Sequence, residues 1–109
     1  MAIEALKKNY LFQRAYRSRK NYVSPVLITY VVEKKTGGFR LGITTGKKVG
    51  NAVERNHARR LVRAATADLL KDVKKRVDVV VVCRHGILNM KSTQVEEILR
   101  KHLESAGVI

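Results

Sequence analysis

The chain has 109 residues, of which 45% are hydrophobic, so it is long enough for one compact domain with a buried core. It carries 23 Lys and Arg against 9 Asp and Glu, a formal net charge of +14. A charge of this size opposes compaction and favours a polyanionic partner, with nucleic acid as the leading candidate. A membrane surface is disfavoured because the basic residues are spread along the chain rather than set on one amphipathic helix.

The first half of the sequence predicts a helix followed by strands. Asn9 is placed to cap a helix over residues 10–17. Residues 26–33 are rich in β-branched and aromatic side chains, which is typical of a strand. Gly37-Gly38 signals a hairpin turn, and apolar residues then alternate over 39–43, which predicts a second strand with one apolar face.

The second half predicts a long helix over residues 51–70, a strand over 77–83 and a final helix. The valine run of that strand indicates burial on both faces, with Asp78 as its one polar interruption, expected near the edge. The last helix is expected to begin at Thr93, with Glu96 completing a capping box. The order helix, two or three strands, helix, strand, helix indicates an α/β (α+β) two-layer sandwich with three helices on a mixed sheet of about four strands.

The most informative stretch is residues 47–63, where one helix carries two different faces. At 100° per residue, four arginines and an asparagine fall within about 140° of each other; these residues are Arg55, Asn56, Arg59, Arg60 and Arg63. A separate arc is apolar and suited to a core; it contains Ala58, Leu61, Val62, Ala65 and Leu69. Like charges so close together repel each other, so the basic face gains energy only when a polyanion binds.

A basic turn over residues 46–51 leads into this helix. Its glycines let the backbone approach a phosphate, the amides of the helix N-terminus point outward, and Lys47 and Lys48 add charge. Asn51 serves equally well as a plain N-cap, and the two interpretations are compatible. A solvated helix side usually mixes charges of both signs, whereas residues 47–70 contain only two acids, which favours binding.

Three aromatic residues lie beside cations and are candidates for contact with bases. Phe12 and Tyr16 are four residues apart on the first helix, which also carries Arg17, and Tyr30 lies on the first strand. Aromatic rings flanked by cations stack single-stranded bases with about 1–3 kcal/mol each. An ordinary core position is the alternative for Phe12, whereas Tyr16 and Tyr30 favour the ligand face.

The sequence shows no protein-only active site and no metal site. Its three histidines are dispersed, with His102 suited to a core or edge position, and no cysteine and histidine spacing fits zinc. Cys83, the only cysteine, excludes an internal disulfide and follows the valine run as a buried structural thiol. Paired carboxylates are absent, so the protein is expected to bind a phosphate polymer without cutting it alone. No apolar run matches a signal peptide or a spanning helix, so we expect a cytoplasmic protein, with a single nucleic-acid-binding domain over 1–109.

The stretch Gly46-Lys47-Lys48-Val49-Gly50-Asn51-Ala52-Val53-x-Arg55-Asn56-x-x-Arg59-Arg60-x-x-Arg63 closely resembles the signature of the bacterial ribonuclease P protein subunit. The segments Phe12-Gln13-Arg14-Ala15-Tyr16 and Arg40-Leu41-Gly42-Ile43 also fit, as does the valine strand with Arg84-x-Gly86. The likeness covers nearly the whole chain, in the right order. One position departs from it, since His57 stands where the signature has a third arginine, and an imidazole cannot supply the guanidinium fork.

The resemblance implies that the chain joins a catalytic RNA that removes the 5′ leader of precursor tRNA by Mg²⁺-dependent hydrolysis. Mg²⁺ is then bound mainly by the RNA, and no organic cofactor, membrane or DNA is involved. The leader is expected to bind as a single strand in a cleft between the sheet and the first helix, at Phe12, Tyr16, Arg17 and Tyr30. The catalytic RNA is expected at Lys47, Lys48, Asn51, Arg55, Asn56, Arg59, Arg60 and Arg63. The resemblance also implies a left-handed crossover around the arginine-rich helix, against the usual preference.

Two alternative functions fit the charge. A ribosomal or RNA-chaperone protein with a similar sandwich explains the charge and the fold, but not aromatic residues joined to this signature. A DNA-binding protein needs an element that reads a groove, and the arginine-rich helix is suited to that.

Overall fold

The computed structural model describes residues 3–109, so residues 1 and 2 of the predicted domain lie outside the described part. Within this range three α-helices and five strands follow in the order β1 (Glu4–Ala5), α1 (Asn9–Tyr16), β2 (Asn21–Val23), β3 (Leu27–Glu33), β4 (Arg40–Thr44), α2 (Ala52–Leu69), β5 (Val77–Cys83) and α3 (Ser92–Ser105). The helix count and the mixed α+β architecture confirm the prediction, and the sheet has one strand more than expected. None of the described helices is both long and apolar enough to cross a membrane.

The strand order is β1-β4-β5-β3-β2, with β5 at the centre. β5 runs antiparallel to β3 and parallel to β4, so β3 and β4 are not neighbours. The prediction of a hairpin at Gly37-Gly38 is therefore wrong. Gly37 does turn the chain, with φ at +81°, a left-handed conformation that glycine adopts easily. A turn signal is local, however, and β5 takes the place beside β3 because the two strands pair along all seven residues.

β5 is buried on both faces, as its valine run predicts. Val79 and Val81 face a large core that α2 and α3 cover, and Cys83 belongs to the same core. Val80 faces the opposite side and packs with Leu11 and Ala15 of α1 in a second, smaller cluster. The sheet thus carries α2 and α3 on one face and α1 on part of the other.

The arginine-rich helix lies within one residue of its predicted bounds at each end. Asn51 is its N-cap, and Glu54 completes a capping box with it. The apolar arc is buried as predicted, from Ala58 to Leu69. The agreement follows from local causes, since both the cap and the apolar period are encoded within the helix itself.

The predicted caps of the other two helices are wrong. Asn9 is already helical, and Lys8 holds the N-cap position of α1 without a side-chain hydrogen bond. α3 begins at Ser92, so Thr93 lies inside its first turn. The Gln94 side chain, rather than Glu96, reaches back to accept a hydrogen bond from the Lys91 N–H at 2.8 Å.

The prediction that Asp78 lies near an edge of the sheet is wrong. Asp78 lies on the central strand β5, and it is only 1% exposed. Arg40 donates two hydrogen bonds to its carboxylate, at 2.7 and 2.8 Å, and the Lys34 ammonium lies 2.8 Å away. Arg14 of α1 adds a fourth contact at 3.7 Å. Burial disfavours the charged carboxylate, but the hydrogen bonds and charges of Arg40 and Lys34 outweigh it and hold the Asp78 pKa below its ordinary 3.8. The buried charge therefore joins α1 to the sheet.

Candidate nucleic-acid interface

α1 covers only part of its face of the sheet. Beneath it lies the row of neighbouring residues Gly42, Val80 and Tyr30 on β4, β5 and β3. A Cβ added to Gly42 would lie 2.7 Å from two ring atoms of Phe12, so the missing side chain lets that ring settle on the strand. Phe12 is only partly buried, and it packs against the smaller core cluster that contains Val80. The sequence left open whether Phe12 packs in the core or faces a ligand. The structure shows a packing contact for it.

An aromatic cleft begins where α1 ends. Tyr16, the last residue of the helix, is 37% exposed and meets Tyr30 edge to face, with ring centroids 5.3 Å apart. The Tyr16 hydroxyl lies 2.9 Å from the Thr44 Oγ1 and hydrogen bonds to it. The next row across the sheet joins Thr44 to Val82 and Ile28, and all three are only partly buried. We call these five residues the aromatic cleft.

The structure brings Tyr16 and Tyr30, two of the predicted leader-binding residues, into direct contact. Arg17 follows directly as the C-cap of α1 and is exposed. Sequence reasoning missed Thr44, Val82 and Ile28, the floor of the cleft. The alternation within β4 carries a partial signal, since Thr44 lies two residues after Gly42 and therefore on the same face.

The predicted basic side of α2 forms a continuous surface, which we call the arginine face: Arg55, Asn56, Arg59, Arg60 and Arg63. Asn56, Arg60 and Arg63 are exposed, and the other two are partly exposed. Arg59 donates a hydrogen bond to the Asn56 side-chain oxygen at 2.9 Å. Within residues 3–109 none of these arginines forms an ion pair with a carboxylate. Their charge is thus available to a polyanion.

The basic turn before α2 is anchored to the body of the protein. Val49 is buried, and the His85 ring donates a hydrogen bond from Nδ1 to its carbonyl at 2.9 Å. Lys47 and Lys48 directly precede this anchor, stay exposed and line a pocket of about 510 Å³. The pocket shares Thr44 and Val82 with the aromatic cleft; Arg84 also lines it. The two lysines therefore border the cleft as well as the start of α2.

The N-terminus of α2 is less open than the sequence predicts. Asn51 accepts a hydrogen bond from the Glu54 N–H at 2.9 Å, and the Glu54 carboxylate accepts one from the Asn51 N–H at 2.9 Å. Two backbone amides are thus already bonded, and a carboxylate lies beside them. Asn51 therefore acts as the N-cap, and the exposed cations of this region are the neighbouring lysines and arginines.

No group of three or more His, Cys, Asp or Glu in residues 3–109 is arranged to hold a metal ion. Cys83 is buried as predicted, and burial raises the pKa of its thiol to about 11. His102 occupies the predicted position beside the core, where its Nδ1 lies 2.8 Å from the Thr29 hydroxyl and its ring lies beside Tyr22. These groups serve the fold, and the chemical character of the surface is cationic and aromatic.

A mixed sheet with an exposed arginine face and a cleft lined by tyrosines defines a class of small, basic α+β proteins suited to polyanions. The chain belongs to the ribonuclease P protein family, since the family model for ribonuclease P matches residues 2–107.

Relatives and solved structures agree with this membership. The ribonuclease P protein component of Enterococcus faecalis is 32% identical over 105 residues, which cover 95% of this chain and 89% of the relative. That of Clostridium botulinum is 33% identical over 104 residues, 94% of each chain. The structure of Staphylococcus aureus RNase P protein superimposes with a TM-score of 0.78 at 32% identity, covering 98% of each chain. The structure of the Thermotoga maritima RNase P protein shares the fold, with a TM-score of 0.81 at 24% identity. The match covers 94% of this chain and 96% of the Thermotoga maritima chain.

Family membership makes the chain a protein component of ribonuclease P, a tRNA-processing ribonucleoprotein. It is thereby part of an endoribonuclease holoenzyme, and this membership implies partnership with the RNA of that enzyme and its tRNA substrate.

Proposed function

We propose that the arginine face binds the catalytic RNA of ribonuclease P while the aromatic cleft binds the single-stranded 5′ leader of precursor tRNA. The RNA then removes the leader by hydrolysis with Mg²⁺ that it binds mainly itself, in the cytoplasm and without an organic cofactor. The observation that carries this proposal is the separation of the two surfaces. α1 and the aromatic cleft lie on one face of the sheet, and α2 packs on the other.

The leader side of the proposal rests on the chemistry of the cleft. Tyr16 and Tyr30 offer ring surfaces to unstacked bases, and the floor beside them is only partly buried. Phe12 supports the Tyr16 side of the helix, and Arg17 supplies a cation at its end. We assign leader binding to these four residues.

The catalytic-RNA side rests on charge that the fold does not use. The arginine face has no carboxylate partner within the described residues, and the basic turn extends it. We assign this contact to Lys47, Lys48, Arg55, Asn56, Arg59, Arg60 and Arg63, with Asn51 fixing the start of the helix. His57 is exposed next to this set but offers no guanidinium.

The experiment is a reconstitution at low Mg²⁺ with a bacterial ribonuclease P RNA, scored by 5′ processing and by affinity for precursor and mature tRNA. Arg60→Ala should weaken RNA binding and reduce the slope of log K against log salt by about 0.7–0.9 for each phosphate that the variant no longer binds. Arg100→Ala is the matched control, because it removes the same charge from α3, where Arg100 pairs with Asp72.

Tyr16→Ala should remove the preference for precursor over mature tRNA and leave binding to the catalytic RNA nearly unchanged. Tyr10→Ala is its control, since Tyr10 is a 68% exposed tyrosine on the opposite flank of the same helix. Equal affinity of the wild-type protein for precursor and mature tRNA would contradict the leader cleft. Cleavage by the purified protein alone would contradict the assignment of catalysis to the RNA, and binding of unrelated RNAs with the same affinity would favour an RNA chaperone.

A further inference from the structure

Ile43 of β4 has backbone groups that no other strand of residues 3–109 binds. β1 pairs with β4 only at Arg40 and Leu41, and the Leu6 N–H donates the last hydrogen bond, to the Leu41 carbonyl at 2.9 Å. The chain then turns away into α1. Because the backbone groups of a strand point alternately to its two sides, the N–H and C=O of Ile43 point to the same side as those of Leu41. No strand of the described residues lies beyond Ile43 on that side.

A pocket of about 500 Å³ opens at this edge, and its size lies in the range of roughly 300–1,000 Å³ of small-molecule sites. Its walls are apolar and come from both sides of the sheet, from Leu6, Phe12, Leu41 and Ile43, with Ala64 and Ala67 of α2 opposite. Arg59 and Arg63 also line it. The pocket therefore lies where the arginine face meets the flank of α1.

These features describe the occupant. Apolar walls fit a flat ring, the N–H and C=O of Ile43 fit a donor next to an acceptor, and two guanidinium groups fit a negative charge attached to the ring. Each nucleobase carries a donor beside an acceptor on its pairing edge, and each nucleotide carries a phosphate. Two alanines on a helix face that otherwise carries long side chains leave the space that such a ring needs.

We propose that this pocket binds one unpaired base of the catalytic RNA, with Ile43 bonding to its pairing edge and Arg59 and Arg63 contacting its flanking phosphates. This inference rests on the proposed function of the arginine face. Phe12, which is also one of the residues assigned to the leader, forms one wall of the pocket. We nevertheless assign the base to the catalytic RNA, because both cations of the pocket belong to the arginine face.

Two other occupants fit less well. A second copy of the chain would bring its own net charge of +14 against Arg59 and Arg63. An acidic peptide that adds a strand needs a run of free backbone groups, whereas Leu41 is already paired and Ile43 alone remains open on this side. A single open residue suits a planar base better than a strand.

The first experiment measures the Ile43 amide resonance by NMR in the full chain during titration with the four nucleoside 5′-monophosphates. Ribose 5-phosphate is the control without a base. At least one nucleotide should bind about tenfold more tightly than ribose 5-phosphate and shift the Ile43 amide. Ala64→Leu should remove this difference by filling the pocket, while Ala52→Leu, at an exposed position at the start of the same helix, should keep it.

Equal binding of ribose 5-phosphate and of all four nucleotides would overturn the proposal, because charge alone would then explain it. A shift of Ile43 with an acidic tetrapeptide of alternating glutamate and valine, and none with nucleotides, would overturn it in favour of strand addition. Leucine is among the best helix formers, so Ala64→Leu should fold, and Ala67→Leu provides a second filled pocket.

The second experiment identifies the source of the base. Ala64→Leu should weaken binding to a bacterial ribonuclease P RNA about tenfold and leave the ratio of precursor to mature tRNA affinity unchanged. A loss of that ratio instead would assign the pocket to the leader and overturn the proposal as stated. Failure of the wild-type protein to bind the catalytic RNA would count against the proposed function, whereas the nucleotide titration tests the pocket separately.

Discussion

The buried carboxylate of Asp78 is predicted to be the most sensitive charged position in the fold. Asp78→Asn keeps the shape of the side chain but leaves Arg40 and Lys34 without their counter-charge. The Lys34 and Arg40 side chains are 9% and 26% exposed, so water can rehydrate them only in part. Removing one partner of a buried ion pair costs about 3–5 kcal/mol, and the partial exposure of Arg40 places our expectation near 3 kcal/mol.

Asp72→Asn is the matched control, because it removes the same charge from a pair with Arg100 at 3.3 Å, whose side chains are 43% and 38% exposed. An exposed pair contributes about 0–1 kcal/mol. Both variants raise the net charge equally, so the general repulsion of the chain cancels in the comparison. Urea unfolding followed by circular dichroism at pH 7 gives the two free energies of unfolding.

The pH dependence provides an independent check. Since the pKa of Asp78 is lowered in the folded state, its stabilisation is fully present above its ordinary value of 3.8 and is lost as the pH falls through the folded pKa. The difference between wild type and Asp78→Asn should therefore shrink below pH 3.8. If Asp78→Asn is no more destabilising at pH 7 than Asp72→Asn, the buried network does not hold α1 and the sheet together as argued.

Three further predictions concern packing and burial. Gly42→Ala should destabilise the fold by about 1–3 kcal/mol through its collision with Phe12, and most of this effect should disappear when it is introduced into Phe12→Ala, as a double-mutant cycle by urea unfolding would show. With a pKa of about 11, Cys83 should react with a thiol reagent at pH 8 only on unfolding; fast reaction of the native protein would contradict its burial. Burial lowers the His102 pKa, so stability should fall as the pH drops below 6.5, and His102→Gln should flatten this decrease in unfolding experiments at pH 7 and 5.

The parts of the structure that follow from the sequence are those with local causes. α2 carries its cap, its apolar arc and its charged arc within residues 51–69, so its bounds and both faces were predictable. The same holds for β5, whose valine run encodes burial on both faces. The two-residue strand β1 carries no period at all, and its existence depends on the neighbouring strand β4.

The parts that do not follow depend on residues far apart in the chain. Gly37-Gly38 encodes a turn, but which strands pair is decided by competition with β5. In the sequence, Asp78 interrupts a valine run, so an edge position was expected. The cations that compensate its charge come from positions 14, 34 and 40, far away in the chain. The capping of α3 was also not predictable. Gln94 and Glu96 are both suited to a capping box, and the residue at which the helix begins determines which of them accepts the hydrogen bond.

The aromatic cleft exists because α1 ends early. The turn that follows the helix determines where α1 ends. After Tyr16 the Ser18 hydroxyl donates a hydrogen bond to the Val31 carbonyl at 2.7 Å, and the Lys20 carbonyl accepts one from the Val31 N–H at 2.9 Å. These contacts lead the chain to the β2 edge before a third turn of helix can form. A longer helix would cover the row of Ile28, Val82 and Thr44 and bury both tyrosine rings. The stripe of aromatic residues in the sequence thus predicts a face, and the position where the helix ends makes that face a cleft.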